Sequence, residues 1–188
     1  MKDLLRSILI FVVMSLLTGL VYPFIITEIS NVMMPEKAQG SLIISKDKVI
    51  GSVLIGQQFL NVRYFHGRPS ALEKPYDASN SGGSNLGPSN KKFLDDIGKR
   101  VQQARDENRP EPGASIPADM VLASASGLDP HISIESALLQ TARIAHARGL
   151  PETQVRKTIT DIAEQRYPGG PEIVNVLKLN LAIDELMH

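Results

Sequence analysis

The chain has 188 residues, 20 of them Lys or Arg and 20 Asp or Glu, so its formal net charge is zero and it offers no electrostatic footprint for nucleic acid. It contains no cysteine, which excludes disulfides, thiolate catalysis and thiolate metal sites and suits either a reducing compartment or a periplasm that oxidises stray thiols. Its length allows one domain with a sizeable core once a membrane segment is set aside.

Residues 7–27, SILIFVVMSLLTGLVYPFIIT, carry no charged side chain between Arg6 and Glu28. As a helix rising about 1.5 Å per residue, such a run reaches roughly 30 Å, the thickness of a bilayer's hydrocarbon core. The pattern predicts a transmembrane helix over residues 7–29, with residues 1–6 before it and one domain, 30–188, after it. A cleaved signal peptide is the alternative; its apolar core would run about 7–15 residues and end in small residues at a cleavage site, which residues 25–30 lack. Lys2 and Arg6 outweigh Asp3 before the span, whereas Glu28 is the first charge after it. That bias favours a cytoplasmic N-terminus and an extracytoplasmic, periplasmic domain. Ser15, Thr18 and Gly19 recur at helical spacing and form a candidate face for packing against another transmembrane helix. Tyr22 and Pro23 fall near the outer end, where an aromatic suits the interface and a proline bends the last turn.

From Gly40 the pattern changes to two β-branched apolar runs around a polar turn at residues 45–48, the signature of a hairpin. Residues 61–90 are poor in apolar side chains, and their centre, SGGSNLGPSN at 81–90, is rich in turn formers. A helix is expected from Ser89 or Asn90, with Phe93, Ile97, Val101 and Ala104 on one face, ending before Asn108. A short extended piece is expected at 120–122, then ASASGLDPHIS at 123–133. Ser133 reads as the N-cap of a helix that presents Ile134, Leu138, Thr141, Ile144 and Ala145 and closes at Gly149. A second helix runs from about Pro151 to Gln165 with Val155, Ile159 and Ile162 inward. The segment from Ile173 onward partly alternates, but its length favours helix. The fold class is α+β: one N-terminal transmembrane helix and a single mixed α/β domain.

Chemical motifs are sparse. The Gly-rich loop ahead of a helix start is either an ordered turn system used for docking or a contact for a small anion, and neither a P-loop nor a G-x-G-x-x-G accompanies it. Asp129 and His131 suit a turn before the Ser133 cap; a third ligand at metal-site spacing is missing, so no metal site is expected. His66, His146 and His188 are scattered, and no serine occupies a G-x-S-x-G elbow. Arg143, Arg148, Arg156 and Lys157 read as a solvated basic face. No catalytic constellation emerges.

Tyr22-Pro23, Gly56-Gln57, Phe59, Tyr64-Phe65, Arg68-Pro69-Ser70-Ala71 and Tyr76-Asp77, followed by the 81–90 and 123–133 motifs, form an ordered series. It ends in Val174-Asn175-Val176, Leu179-Asn180-Leu181-Ala182 and Asp184. Through these residues nearly the whole chain resembles the C subunits of the Kdp potassium-transporting P-type ATPase of bacteria, departing at Leu122, where a threonine is usual. The resemblance implies a non-catalytic, single-span accessory subunit of the cell inner membrane. Its partners would be a channel-like potassium-binding subunit, a P-type ATPase subunit and a small single-helix subunit. The chain lacks Asp-Lys-Thr-Gly, the phosphorylation motif of the motor. The family is described as a catalytic chaperone that raises the ATP affinity of the ATPase subunit through a glutamine, which here would be Gln154; no cofactor beyond ATP is implied. The charge bias separates the domain from cytoplasmic ATP, and topology instead favours docking over the outer mouth of the potassium-binding subunit. Arg68, Ser81, Gly82, Gly83, Ser84, Asn85, Asp129 and His131 are the expected docking residues. An anchored extracytoplasmic binding module with no nucleotide contact is the alternative.

Overall fold

A computed structural model of the chain describes residues 1–45 and 47–186; Lys46 of the expected turn and His188 lie outside the described residues. The structure separates into two units, Met1–Ile50 and Gly51–His188.

The first unit begins with helix α1 (Lys2–Leu16), which continues through a π-helical turn, Leu17–Val21, into α2 (Tyr22–Met33). The 32 residues Lys2–Met33 are apolar and long enough to cross a membrane. Pro23 explains the π turn: it has no N–H for the carbonyl of Gly19 and its ring crowds that turn, so the register widens just ahead of it. Met34 leaves the helical region at φ −144°, as a residue before proline prefers, and Pro35 opens the short α3 (Pro35–Ala38). Strands β1 (Leu42–Ser45) and β2 (Lys48–Ser52) pair as the expected hairpin.

In the second unit, α4 (Lys91–Asn108) is capped by the Asn90 side chain, which accepts from Phe93 N–H, and ends where Arg109 turns left-handed at φ 45°. The expected extended piece at 120–122 is instead a helical turn, α5 (Ala118–Val121). Its formation follows from Asp119, whose carboxylate accepts from the Ser133 N–H at 2.6 Å, the Ser133 hydroxyl at 3.0 Å and the Ser136 hydroxyl at 2.6 Å. A tertiary anchor of this kind leaves no local periodicity. Strand β3 (His131–Ser133) precedes α6 (Ile134–Leu139) and α7 (Thr141–Arg148), with Ser133 capping the first as expected. The single predicted helix is therefore broken at Gln140, and Gly149, at φ 66°, closes it. Helix α8 (Glu152–Ile162) stops earlier than expected because residues 164–165 form strand β4 (Glu164–Gln165). The ambiguous C-terminal segment contains both patterns: β5 (Glu172–Asn175) and α9 (Val176–Glu185), divided by the Asn175 cap on Lys178 N–H.

The sheet order is β3-β5-β4, antiparallel throughout, with Ile132 opposite Val174 and Glu164 opposite Ile173. Helices α6 to α9 bury Ile144, Val155, Ile159, Leu179 and Ile183 together with Val174 and Phe65, all at 0% exposure. Each such side chain contributes about 1.5–3 kcal/mol on leaving water. Phe65 is the inward anchor of an otherwise irregular segment, and it brings residues 53–90 onto the helical layer.

Candidate functional site

Residues 61–68 have no ladder of their own, so side chains supply one. Asn180 accepts from the Phe65 N–H at 2.8 Å and donates to the Phe65 carbonyl at 3.1 Å. Gln140 does the same for His66, accepting from its N–H at 2.8 Å and donating to its carbonyl at 3.2 Å. Both amides are buried, so two consecutive residues have their backbone groups paired as in a strand. The two arginines expected on a solvated face are instead part of this support. Arg143 donates to the carbonyls of Val62 and Tyr64 at 2.6 and 3.0 Å and to the Gln140 side chain at 2.7 Å. Arg148, whose side chain is 2% exposed, pairs with Asp184 at 2.7 Å, donates to the Arg63 carbonyl at 2.6 Å and stacks 4.7 Å above the Tyr64 ring. Carbonyls that a loop would turn to solvent draw these guanidiniums inward. His146, Arg156 and Lys157 are exposed as expected.

The expected docking residues fall on two loops that hold each other. Gly82 N–H and the Ser81 hydroxyl both donate to the Ser126 carbonyl, at 3.0 and 3.2 Å, and Ser124 N–H donates to Pro69 O at 3.2 Å. Gly83 lies so close to Ala125 that a Cβ would sit 3.1 Å from its carbonyl oxygen. Ser84 and Asn85 face outward. Arg68 Nη1 pairs with Asp129 at 3.0 Å, and Asp129 also accepts from His131 N–H at 3.0 Å in the turn expected before the cap. Burial pushes the Asp129 carboxyl up, but its bonds from His131 and the Arg68 charge outweigh this and hold it below the usual range. The His131 ring lies 3.8 Å from Asp129 and 3.6 Å from Glu164. Burial, reinforced by the Asp129 charge, pushes the Tyr76 phenol up to about 12, so it remains a neutral donor to Arg68 O at 2.6 Å.

Beside this surface, between α4 and residues 58–76, is an open cleft of about 290 Å³. Phe59, Leu60, Pro75 and Met120 form an apolar wall; Arg68, Arg100, Gln103 and Glu107 supply polar groups, with His66 between them. His66 Nε2 is 3.2 Å from the Asn61 carbonyl and therefore carries a hydrogen, which leaves Nδ1 facing Glu107 at 3.5 Å. Burial first and the Arg143 charge second hold the imidazole below its ordinary value, so it is neutral at pH 7. Sequence reasoning missed this cleft. Arg100, Gln103, Ala104 and Glu107 do recur at i, i+3, i+4 and i+7, a periodicity that was legible but is equally that of a solvated helix face.

Gln154 occupies the first turn of α8, where its carbonyl accepts from the Thr158 hydroxyl at 3.1 Å; it is half-buried and does not line the cleft. Ser15, Thr18 and Gly19 lie on the apolar helix and are exposed. The Thr18 hydroxyl returns to Met14 O at 2.8 Å, and a Cβ on Gly19 would meet nothing within 4 Å.

A family model described as the c chain of the K+-transporting ATPase, KdpC, matches residues 4–185. Among individual proteins, the potassium-transporting ATPase KdpC subunit of Rhodopseudomonas palustris strain BisB18 is 46% identical over 198 residues, covering 98% of this chain and 98% of its own. The KdpC subunits of Koribacter versatilis and Polaromonas naphthalenivorans are 48% and 47% identical, covering 97% and 99% of this chain and 94% and 96% of their own.

Proposed function

The chain belongs to the KdpC family, the c chains of the K+-transporting ATPase, and from that premise we propose that it is a non-catalytic accessory subunit of an ATP-driven potassium uptake complex. Residues 7–29 anchor it in the inner membrane of a bacterium with residues 1–6 in the cytoplasm, and the domain docks from the periplasm on the outer mouth of the channel-like potassium-binding subunit. The P-type ATPase subunit and a small single-helix subunit complete the assembly. On the span, Ser15, Thr18 and Gly19 form the face that packs against a partner helix.

The observation that carries this reading is the pair of interlocked loops. Bonds from Gly82 and Ser81 to Ser126 fix the backbone from within and leave Ser84 and Asn85 outward. A surface so ordered before contact loses little conformational entropy on binding, which favours docking through polar contacts. Tagged full-length chain extracted in mild detergent should bring down a multi-spanning partner. Ser84→Trp should abolish that recovery while the domain stays folded; undiminished recovery would remove the loops from the interface.

The family's chaperone role through Gln154 is the second reading. It needs the domain on the ATP side, so sidedness decides it. Protease added outside spheroplasts should digest the domain, and a protected domain would favour nucleotide contact. In that case Gln154→Ala should raise the ATP concentration the assembled pump requires.

A further inference from the structure

We propose that the cleft between α4 and residues 58–76 binds an organic carboxylate carried on an apolar stem, a site that stands whether or not the chain docks as described above. The placement of two guanidiniums carries the inference. Arg100 Nη1 donates to the Val121 carbonyl at 3.0 Å, and Arg68 Nη2 lies 3.4 Å from the carbonyl of the next residue, Leu122. Consecutive carbonyls thus draw both cations to one end of the cleft, whose lining includes both. Asp129, which does not line the cleft, pairs with Arg68 at 3.0 Å. Among the described residues Arg100 forms no ion pair, and Arg68 Nε is buried without a hydrogen-bond partner. Arg100 therefore carries a positive charge that no ion pair compensates, with fork donors unused beyond its bond to Val121, the arrangement that a carboxylate satisfies bidentately.

Glu107 does not cancel this charge. It stands seven residues from Arg100 on α4, about 10 Å along the axis, and accepts a hydrogen bond from Gln103 at 2.7 Å. The apolar lining, with Phe59, Leu60, Pro75 and Met120, distinguishes the ligand from inorganic phosphate, which has no apolar part to bury. The cleft's size, about 290 Å³, fits one small acid or one acidic side chain with its neighbour.

The test is calorimetric titration of the full-length chain in detergent with 3-phenylpropionate and, separately, its neutral isostere 3-phenylpropionamide. The acid should bind saturably, and the amide about tenfold more weakly or worse. Arg100→Gln should raise the Kd for the acid about tenfold. Gln103→Glu, on the exposed side of α4, should also raise it by adding a negative charge, without touching an Arg. No saturation, equal binding of acid and amide, or an unchanged Kd in both variants would overturn the proposal. The source of the natural carboxylate follows from the same variants in co-purification: loss of the multi-spanning partner assigns it to an acidic side chain of that partner, and an intact complex assigns it to a free organic acid.

Discussion

Replacing Asn180 by Leu removes the amide that pairs with Phe65 while keeping the same branching in a somewhat larger side chain, so the substitution leaves no cavity and the cost reports chiefly on the lost hydrogen bonds. Both bonds are lost, at 2.8 and 3.1 Å, and both backbone groups stay at a position where Phe65 is 0% exposed and Asn180 is 2% exposed. A buried group left without a partner costs about 1–3 kcal/mol, so two of them together predict a loss of about 2–6 kcal/mol. Against a typical total of about 5–15 kcal/mol, that shift is large enough to move the unfolding midpoint clearly. Urea titration of the full-length chain in detergent, followed by far-UV circular dichroism, measures it. Asn180→Asp sharpens the test. Its protonated form can donate to the Phe65 carbonyl and accept from the N–H, whereas its ionised form can only accept, so this variant should gain stability as pH falls. A loss below about 1 kcal/mol in Asn180→Leu would refute the view that side-chain amides hold residues 65–66 in place.

Other substitutions probe the remaining supports. Arg148→Met should cost about 2–3 kcal/mol, from its charged bond to Arg63 O and its stacking on Tyr64. Asp184→Asn should cost less in the same unfolding assay, because Asp184 is 39% exposed and water can replace its partner. His66 has its folded-state value lowered, so its neutral form contributes stability above the ordinary pKa near 6.5, and that contribution is lost as pH falls through the lowered folded value. His66→Gln should accordingly flatten the decline in thermal midpoint below pH 6.5 relative to the parent. Ser133→Ala removes the α6 cap and one bond to Asp119 and should lower stability by about 1–2 kcal/mol in urea titration.

Local chemistry was the legible part of this fold. Asn90, Ser133 and Gly149 mark helix ends through contacts within a few residues, and their roles could be read directly from the chain. The hairpin at 42–52 and the apolar helix were legible for the same reason. What could not be read depends on distant partners. Residues 118–121 turn helical around an aspartate that bonds Ser133 and Ser136, and residues 172–185 divide into strand and helix because β5 finds two neighbours. Arg143 and Arg148 looked solvated because nothing nearby in sequence announces the carbonyls of residues 62–64. The cleft was hidden likewise: its cationic end needs Arg68, Arg100 and the 121–123 backbone together, three segments with no common period.

The amide supports also bear on when the molecule can finish folding. Phe65 takes its partner from 115 residues later in the chain, and His66 from 74 residues later. Closing such long intervals is slow, because the entropy of the intervening chain is spent before the contacts form. During synthesis the segment that shapes the cleft must wait, extended and exposed, until α9 has left the ribosome. By then the apolar helix at residues 2–33 has long emerged. Surveillance by proteases and chaperones would thus act on residues 53–90, and a chain stalled before Asn180 would present an unfinished surface that no partner could use.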